Sequence, residues 1–303
     1  MVQARAMIEP IAGLARQALA REIRALTGSD PKAPTAFLEP AGQAGLFDPD
    51  SVTWKVHAHL IGMLVGGLSS LLIQAMHPGA LAGVWDHSSF RRDLRARLGR
   101  TALFIGATTF GSRTMALAAI ERVNRIHTDV TGTRPDGQPY TARDPHLLRW
   151  VHLGEVLSFL RAYTTFGDPG LPLFAQNQYI WEMQRIGQAL GADALPQNLA
   201  QANQMLLSYR QELVVDPRVA SVIEVIRTFP ARPQDRPLVN TIIGAAFDLL
   251  PDWVLADLGL KPSPAWQQAL RVHSLRLASV PLQWSLATHG VAAYARERLR
   301  LPE

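Results

Sequence analysis

From Leu60 to Met76 the chain reads LIGMLVGGLSSLLIQAM, seventeen residues without a charge. Such a segment has to be surrounded by apolar atoms, so it either crosses a membrane or forms the inner helix of a core. Its length is the minimum for a span, it is polar at Ser69, Ser70 and Gln74, and it is flanked by His59 and His77-Pro78 rather than by aromatic and basic anchors at both ends. We read it as a buried core helix, with integral membrane insertion not expected. A helix that is apolar all round needs other helices against every face, and this points to an all-α, single-domain, multi-helix bundle.

The remaining patterns agree, because apolar residues recur at three- and four-residue spacing and no sustained alternating runs appear. The reading starts with a helix over Ile8 to Leu26 that ends at Gly28, followed by loop-like sequence from Phe37 to Asp50. Asp50 or Ser51 can cap a helix running from Trp54 through Met76, which His77-Pro78 breaks. A short helix over Ala80 to Trp85 and a longer one over Phe90 to Phe110 follow, the latter interrupted by Gly111. Ser112 caps Thr114 to Val130, and Gly132 closes it. Thr133 to Arg143 (TRPDGQPYTAR) reads as a turn or short hairpin, and Asp144-Pro145 opens a helix over Leu147 to Tyr163. Further helices are expected at Leu173 to Leu190, Asn198 to Leu213, Val219 to Thr228, Val239 to Leu250, Trp266 to Leu277 and near Val291 to Arg298. With no linker-like stretch, residues 1–50 form an N-terminal extension and 51–303 a single all-helical domain.

Composition narrows the chemistry. The chain has no cysteine, which excludes disulfides, thiolate nucleophiles, zinc–thiolate sites, iron–sulfur clusters and a cysteine-ligated haem. The net charge of +5 comes from arginines scattered along helices, without a helix-turn-helix, zinc-finger or RNA-recognition pattern, so nucleic acid is not expected as a partner. Glu9 and Pro10 fall where a signal peptide needs unbroken apolar sequence, and a cytoplasmic location is therefore expected. There is no G-x-S-x-G, no phosphate loop, no H-E-x-x-H and no paired Glu-x-x-His, while His152-x-x-Glu155 occurs once in reverse order.

The densest constellation lies between Gln74 and His152. It comprises Gln74-Ala-Met-His77-Pro78, Val84-Trp85-Asp86-His87-Ser88, Arg97-Leu-Gly-Arg100-Thr101, Arg125-Ile-His127-Thr-Asp-Val130-x-Gly132, Tyr140-Thr-Ala142-x-Asp144-Pro145 and Trp150-Val151-His152. Six pieces in this order resemble the DUF2236 family, related to the latex-clearing rubber oxygenases and to the fungal endoplasmic-reticulum oxygenase of mycophenolic acid biosynthesis. The strongest motifs cover residues 54–167. The resemblance implies a globin-like helical core binding haem b (iron) through an axial histidine, with dioxygen and a hydrophobic small molecule as substrates and an electron donor the sequence does not identify. It also implies that Arg97, Arg100 and Thr101 form the family's R-x-x-(K/R)-T block and that His127 is the axial ligand. At the position where rubber oxygenases carry a lysine able to ligate iron, this chain has Arg100, whose guanidinium has no lone pair to give. No residue matches their catalytic glutamate, so rubber cleavage is not carried over.

Read from the residues, a proximal imidazole must project from a rigid helix into an apolar slot. His127 meets that condition, with Val123 and Val130 one turn to either side, although a histidine near a helix end also bonds carbonyls. His77, ending the apolar helix, can face the same cavity or satisfy helix-end groups. His152, on a helix that buries Leu148, Val156 and Phe159, can approach the pocket or serve as a core histidine. Arg97 and Arg100 share a helix face and suit a haem propionate. The Thr101 hydroxyl can donate to bound dioxygen or bond its own backbone. His87 and His146 read as capping or surface groups. The expected function is a haem b-dependent oxygenase, with a non-catalytic haem or lipophilic-ligand binding protein as the alternative.

Overall fold

A computed structural model describes residues 13, 16–22 and 33–300. The helix expected over Ile8 to Leu26 lies largely outside these residues, and its described part, residues 13 and 16–22, is helical. The architecture is all-α, with one two-stranded ribbon among the described residues.

The uncharged segment is the inner helix. Ser51 caps α1 (Val52–Ala58) by accepting from the Trp54 N–H. The chain then turns by 88° at His59. There Nδ1 accepts the Gly62 N–H and starts α2 (Leu60–Gln74). The single helix expected from Trp54 to Met76 is thus two, because the His59 ring supplies a new N-terminal cap in mid-segment. No single helix among the described residues is long and apolar enough to cross a membrane, and α1 and α2 reach that length only as this bent pair.

Helix α2 packs along α6 (Pro145–Ala162). The two approach most closely at Gly66, where a Cβ would lie 2.8 Å from Phe159 Cδ1 and 2.9 Å from the Ser158 carbonyl oxygen. Gln74 joins them, donating to Ser70 Oγ and the Val151 carbonyl while its own carbonyl accepts from the Trp150 indole. These bonds satisfy polar groups that the uncharged segment takes into the interior.

Around this pair run α3 (Pro78–His87), α4 (Leu94–Phe110) and α5 (Arg113–Asp129). Asp93 and Ser112 cap α4 and α5 through the Ala96 and Met115 N–H groups. The antiparallel ribbon of β1 (Thr131–Thr133) and β2 (Pro139–Thr141) pairs Gly132 with Tyr140 and leads to Asp144, the cap of α6. A π-helical turn, Tyr163–Gly167, prolongs α6. The second half contributes α7 (Leu173–Ala189), α8 (Leu199–Ser208), α9 (Pro217–Arg227), α10 (Arg236–Asp248), α11 (Asp252–Asp257), α12 (Ala265–His289) and α13 (Val291–Arg298). Helix α11 has no counterpart in the sequence reading, and α12 runs to His289 through Pro281, past the expected end at Leu277.

Candidate functional site

A cavity of ≈ 300 Å³ opens where α2, α3, α6 and α9 meet the end of α5 and the ribbon. Its walls are chiefly aliphatic, with Leu71 from α2, Leu81 and Val84 from α3, Val151 from α6 and Val222 and Ile226 from α9. Two of the expected site residues, His127 and Arg97, face it from different helices.

His127 sits half-buried one turn from the end of α5, with Ile126 and Val130 beside it on the wall. Its Nδ1 is buried without a hydrogen-bond partner among the described residues. Burial lowers its pKa below the usual histidine range, so the ring is neutral at pH 7 and keeps a lone pair. An unpaired buried nitrogen costs about 1–3 kcal/mol, which a bound partner would remove.

Arg97 stands at the mouth. Its Nη1 donates to Ser88 Oγ at 2.8 Å, and no carboxylate among the described residues pairs with it. Burial, and secondarily the neighbouring Arg100, push the guanidinium down to about 10, which leaves it protonated at neutral pH. A half-buried cation facing an apolar chamber calls for an anion. Outside the mouth lies a polar basin of ≈ 660 Å³ that shares His87, Ser88 and Arg97 with the cavity and adds Asp86, Ser89, Arg92, Arg100 and Thr101, three arginines against one carboxylate. The site therefore has an apolar body and a cationic rim.

Other expected residues lie elsewhere. Arg100 and Thr101 are exposed in the basin and do not line the cavity, and the Thr101 hydroxyl donates to the Arg97 carbonyl at 3.2 Å, the i−4 bond a helical threonine makes. The His77 ring packs against Trp150 and Tyr209, and its Nδ1 accepts the Gly79 N–H, so it caps α3. Burial pushes His77 down to about 4 against the opposing pull of Glu212, so its 3.8 Å approach to that carboxylate is not an ion pair at neutral pH. His152 is buried against α7, where a Cβ at Gly187 would lie 3.1 Å from its ring, and burial pushes it down to about 4. Neither ring lines the cavity.

The sequence reading gave no site role to the clasp that closes the ribbon over α3. Tyr140, on the cavity wall, donates its hydroxyl to Asp86 Oδ2 at 2.6 Å, and burial together with that bond pushes the phenol up to about 12. His87 Nε2 lies 3.1 Å from the Thr131 carbonyl. Gly132 is required here, since a Cβ would fall 2.7 Å from the Tyr140 hydroxyl. Asp86, His87 and Tyr140 all stand inside the quoted motifs, which was the available signal.

No group of three or more His, Cys, Asp or Glu residues among those described converges on one point to hold a metal ion. The cavity offers the neutral, unpartnered nitrogen of His127, an uncompensated cation and apolar walls, while its other imidazole, His87, is engaged at the Thr131 carbonyl; this donor set fits haem b, whose porphyrin supplies four nitrogens and whose propionates carry negative charge. The family described as "ER-bound oxygenase mpaB/B'/Rubber oxygenase, catalytic domain" matches residues 54–284. No curated protein and no solved structure matches the chain.

Proposed function

This chain belongs to the family of ER-bound oxygenase mpaB/B' and rubber oxygenase catalytic domains, and on that premise we propose that it is a haem b-dependent oxygenase acting on a hydrophobic small molecule, with His127 as the residue that would hold the iron. The observation that carries the reading is the buried, partnerless Nδ1 of the half-buried His127, on the wall of an apolar cavity whose mouth holds the half-buried Arg97. Bound there, haem supplies a redox-active iron for dioxygen chemistry.

The chain's own residues do the rest. His127 presents a neutral nitrogen, because burial disfavours its protonated form. Arg97 would pair with a propionate and keep Ser88 as its second partner, with Arg92 and Arg100 adding positive charge to a basin whose one lining carboxylate, Asp86, is bonded to Tyr140. Leu71, Leu81, Val151 and Ile226 exclude water and favour an apolar substrate. The Tyr140–Asp86 bond holds the ribbon closed over the cavity.

Titration of the purified protein with haem b, followed by dioxygen uptake against a panel of apolar compounds, tests the reading. Stoichiometric binding and substrate-dependent uptake are expected, and Arg97→Leu should weaken haem binding about tenfold. Haem binding without uptake on any compound makes the protein a carrier, and failure to bind haem ends the proposal.

A further inference from the structure

Helix α12 has one face in the core and another that is largely uncovered among the described residues. Leu275, Ser279 and Ser285 are buried, while Trp266, Leu270, Leu277 and Val280 are 66, 58, 60 and 65% exposed and Trp284 39%. Exposed His273 completes the row. These six positions are spaced 4, 3, 4, 3 and 4 residues apart, a strict 3.5-residue repeat.

The repeat identifies the kind of partner. At about 100° per residue the six large side chains span about 80° of the helix surface, and the smaller exposed Ala269 and Pro281 flank them on either side. Ser274 follows on one side, while Gln267 and Gln283 lie further round, Gln283 bonded to the Leu60 N–H and the Ala58 carbonyl. A seam of this width and period accepts another helix in knobs-into-holes packing. Reversal maps the row onto itself, since a two-fold axis beside Leu275 sets Trp266 against Trp284, Leu270 against Val280 and His273 against Leu277 of a second copy. The antiparallel arrangement also opposes the helix dipoles and keeps His273 from meeting its own copy.

Charge does not oppose the contact. Helix α12 contains no acidic residue, and Arg271 is turned away to Asp248 and Ser263. Arg276, the one cation bordering the row, donates through Nε and Nη2 to the Thr165 carbonyl. Arg16 lies over one face of the Trp284 ring at 4.5 Å, so that Trp284 presents only its remaining surface to a second copy. The six side chains would bury on the order of 500 Å² per copy, about 1,000 Å² in all, which is the lower bound for a specific contact.

We propose that α12 is a self-association surface, through which two copies of this chain pair by antiparallel packing of the Trp266–Trp284 seams. The contact is independent of haem and of the reaction.

Sedimentation of the full chain from about 1 to about 300 µM tests it, with a dissociation constant in the micromolar range expected. The mass should rise from 33.3 kDa towards twice that value. Leu277→Glu, at an exposed position where folding is not at stake, should hold the protein at the monomer mass with an unchanged circular dichroism spectrum. Because the chain has no cysteine, spin labels on Ser274→Cys and Gln267→Cys report orientation. Antiparallel pairing places the first pair of labels close together and the second about 24 Å apart along the axis. A monomer at every concentration, a Leu277→Glu protein that dimerises like the parent, two short label distances, or a monomer that binds lipid vesicles through Leu277 would each overturn the proposal.

Discussion

Burial decides the protonation of the imidazoles one residue at a time. Desolvation pushes His57 down to about 3 and His59, His77 and His152 to about 4. At His59 and His77 the structure also needs the neutral ring, since Nδ1 of each accepts a backbone N–H that a protonated ring could not take. An unfolded chain takes up these protons near pH 6.5, and the folded one does so only near pH 4. Folding is therefore favoured above that window and loses stability as pH falls through it, by about 1.4 kcal/mol per pH unit for each proton involved. Glu155 acts in the opposite direction, because burial pushes its carboxyl up to about 7 and the folded state holds a proton that the unfolded state releases near 4.5. Four imidazoles outweigh one carboxyl, so the midpoint of thermal unfolding should drop steadily from pH 6.5 to pH 4.5. A midpoint that is flat or rising over that interval would contradict these assignments. The same scale shows what the sequence hides: the spacing that brings His77 close to the site in sequence also makes it a cap, and only the fold shows that its ring turns to Trp150 and Tyr209.

Between elements, the α2–α6 crossing sets the scaffold on which the cavity rests. Gly66→Ala should cost about 1–3 kcal/mol, because the new methyl meets the Phe159 ring and the Ser158 carbonyl at less than 3 Å. Gly67→Ala, whose methyl would meet Phe159 at an ordinary 3.8 Å, should instead be neutral or stabilising by up to about 1 kcal/mol. Denaturant midpoints of the two variants check this, and equal effects would mean that the helices do not close at Gly66. Most element starts were readable because Ser51, Ser112 and Asp144 carry their own capping chemistry, and the ribbon was readable from its Pro and Gly residues. The break at His59 was not, since neither Pro nor Gly marks it and the ring that caps α2 becomes a cap only in three dimensions. The end of α12 was missed for the converse reason: Pro281 marks a stop in sequence, yet it sits on the exposed side of the helix and is tolerated there.

Over the whole molecule, residues 37–43 and the last described helix are joined by a fully buried arginine. Arg298 on α13 donates to the Phe37 and Gln43 carbonyls, and its own carbonyl accepts the Gly42 N–H. Arg298→Met should destabilise the fold by about 3 kcal/mol and expose residues 37–47 to proteolysis, whereas unchanged protection would show that the segment is held by packing alone. Half of the candidate site was legible because His127 and Arg97 lie in motifs on neighbouring helices. The α9 wall of Val222 and Ile226 was not, since it returns from about a hundred residues downstream with nothing but helical spacing to mark it. The central claim, that His127 holds a haem iron in this cavity, is tested most directly by the visible absorption spectrum of the haem-loaded protein. The account predicts a Soret band that is lost or strongly shifted in His127→Ala and unchanged in His77→Ala and His152→Ala. A band that survives His127→Ala unchanged would contradict it.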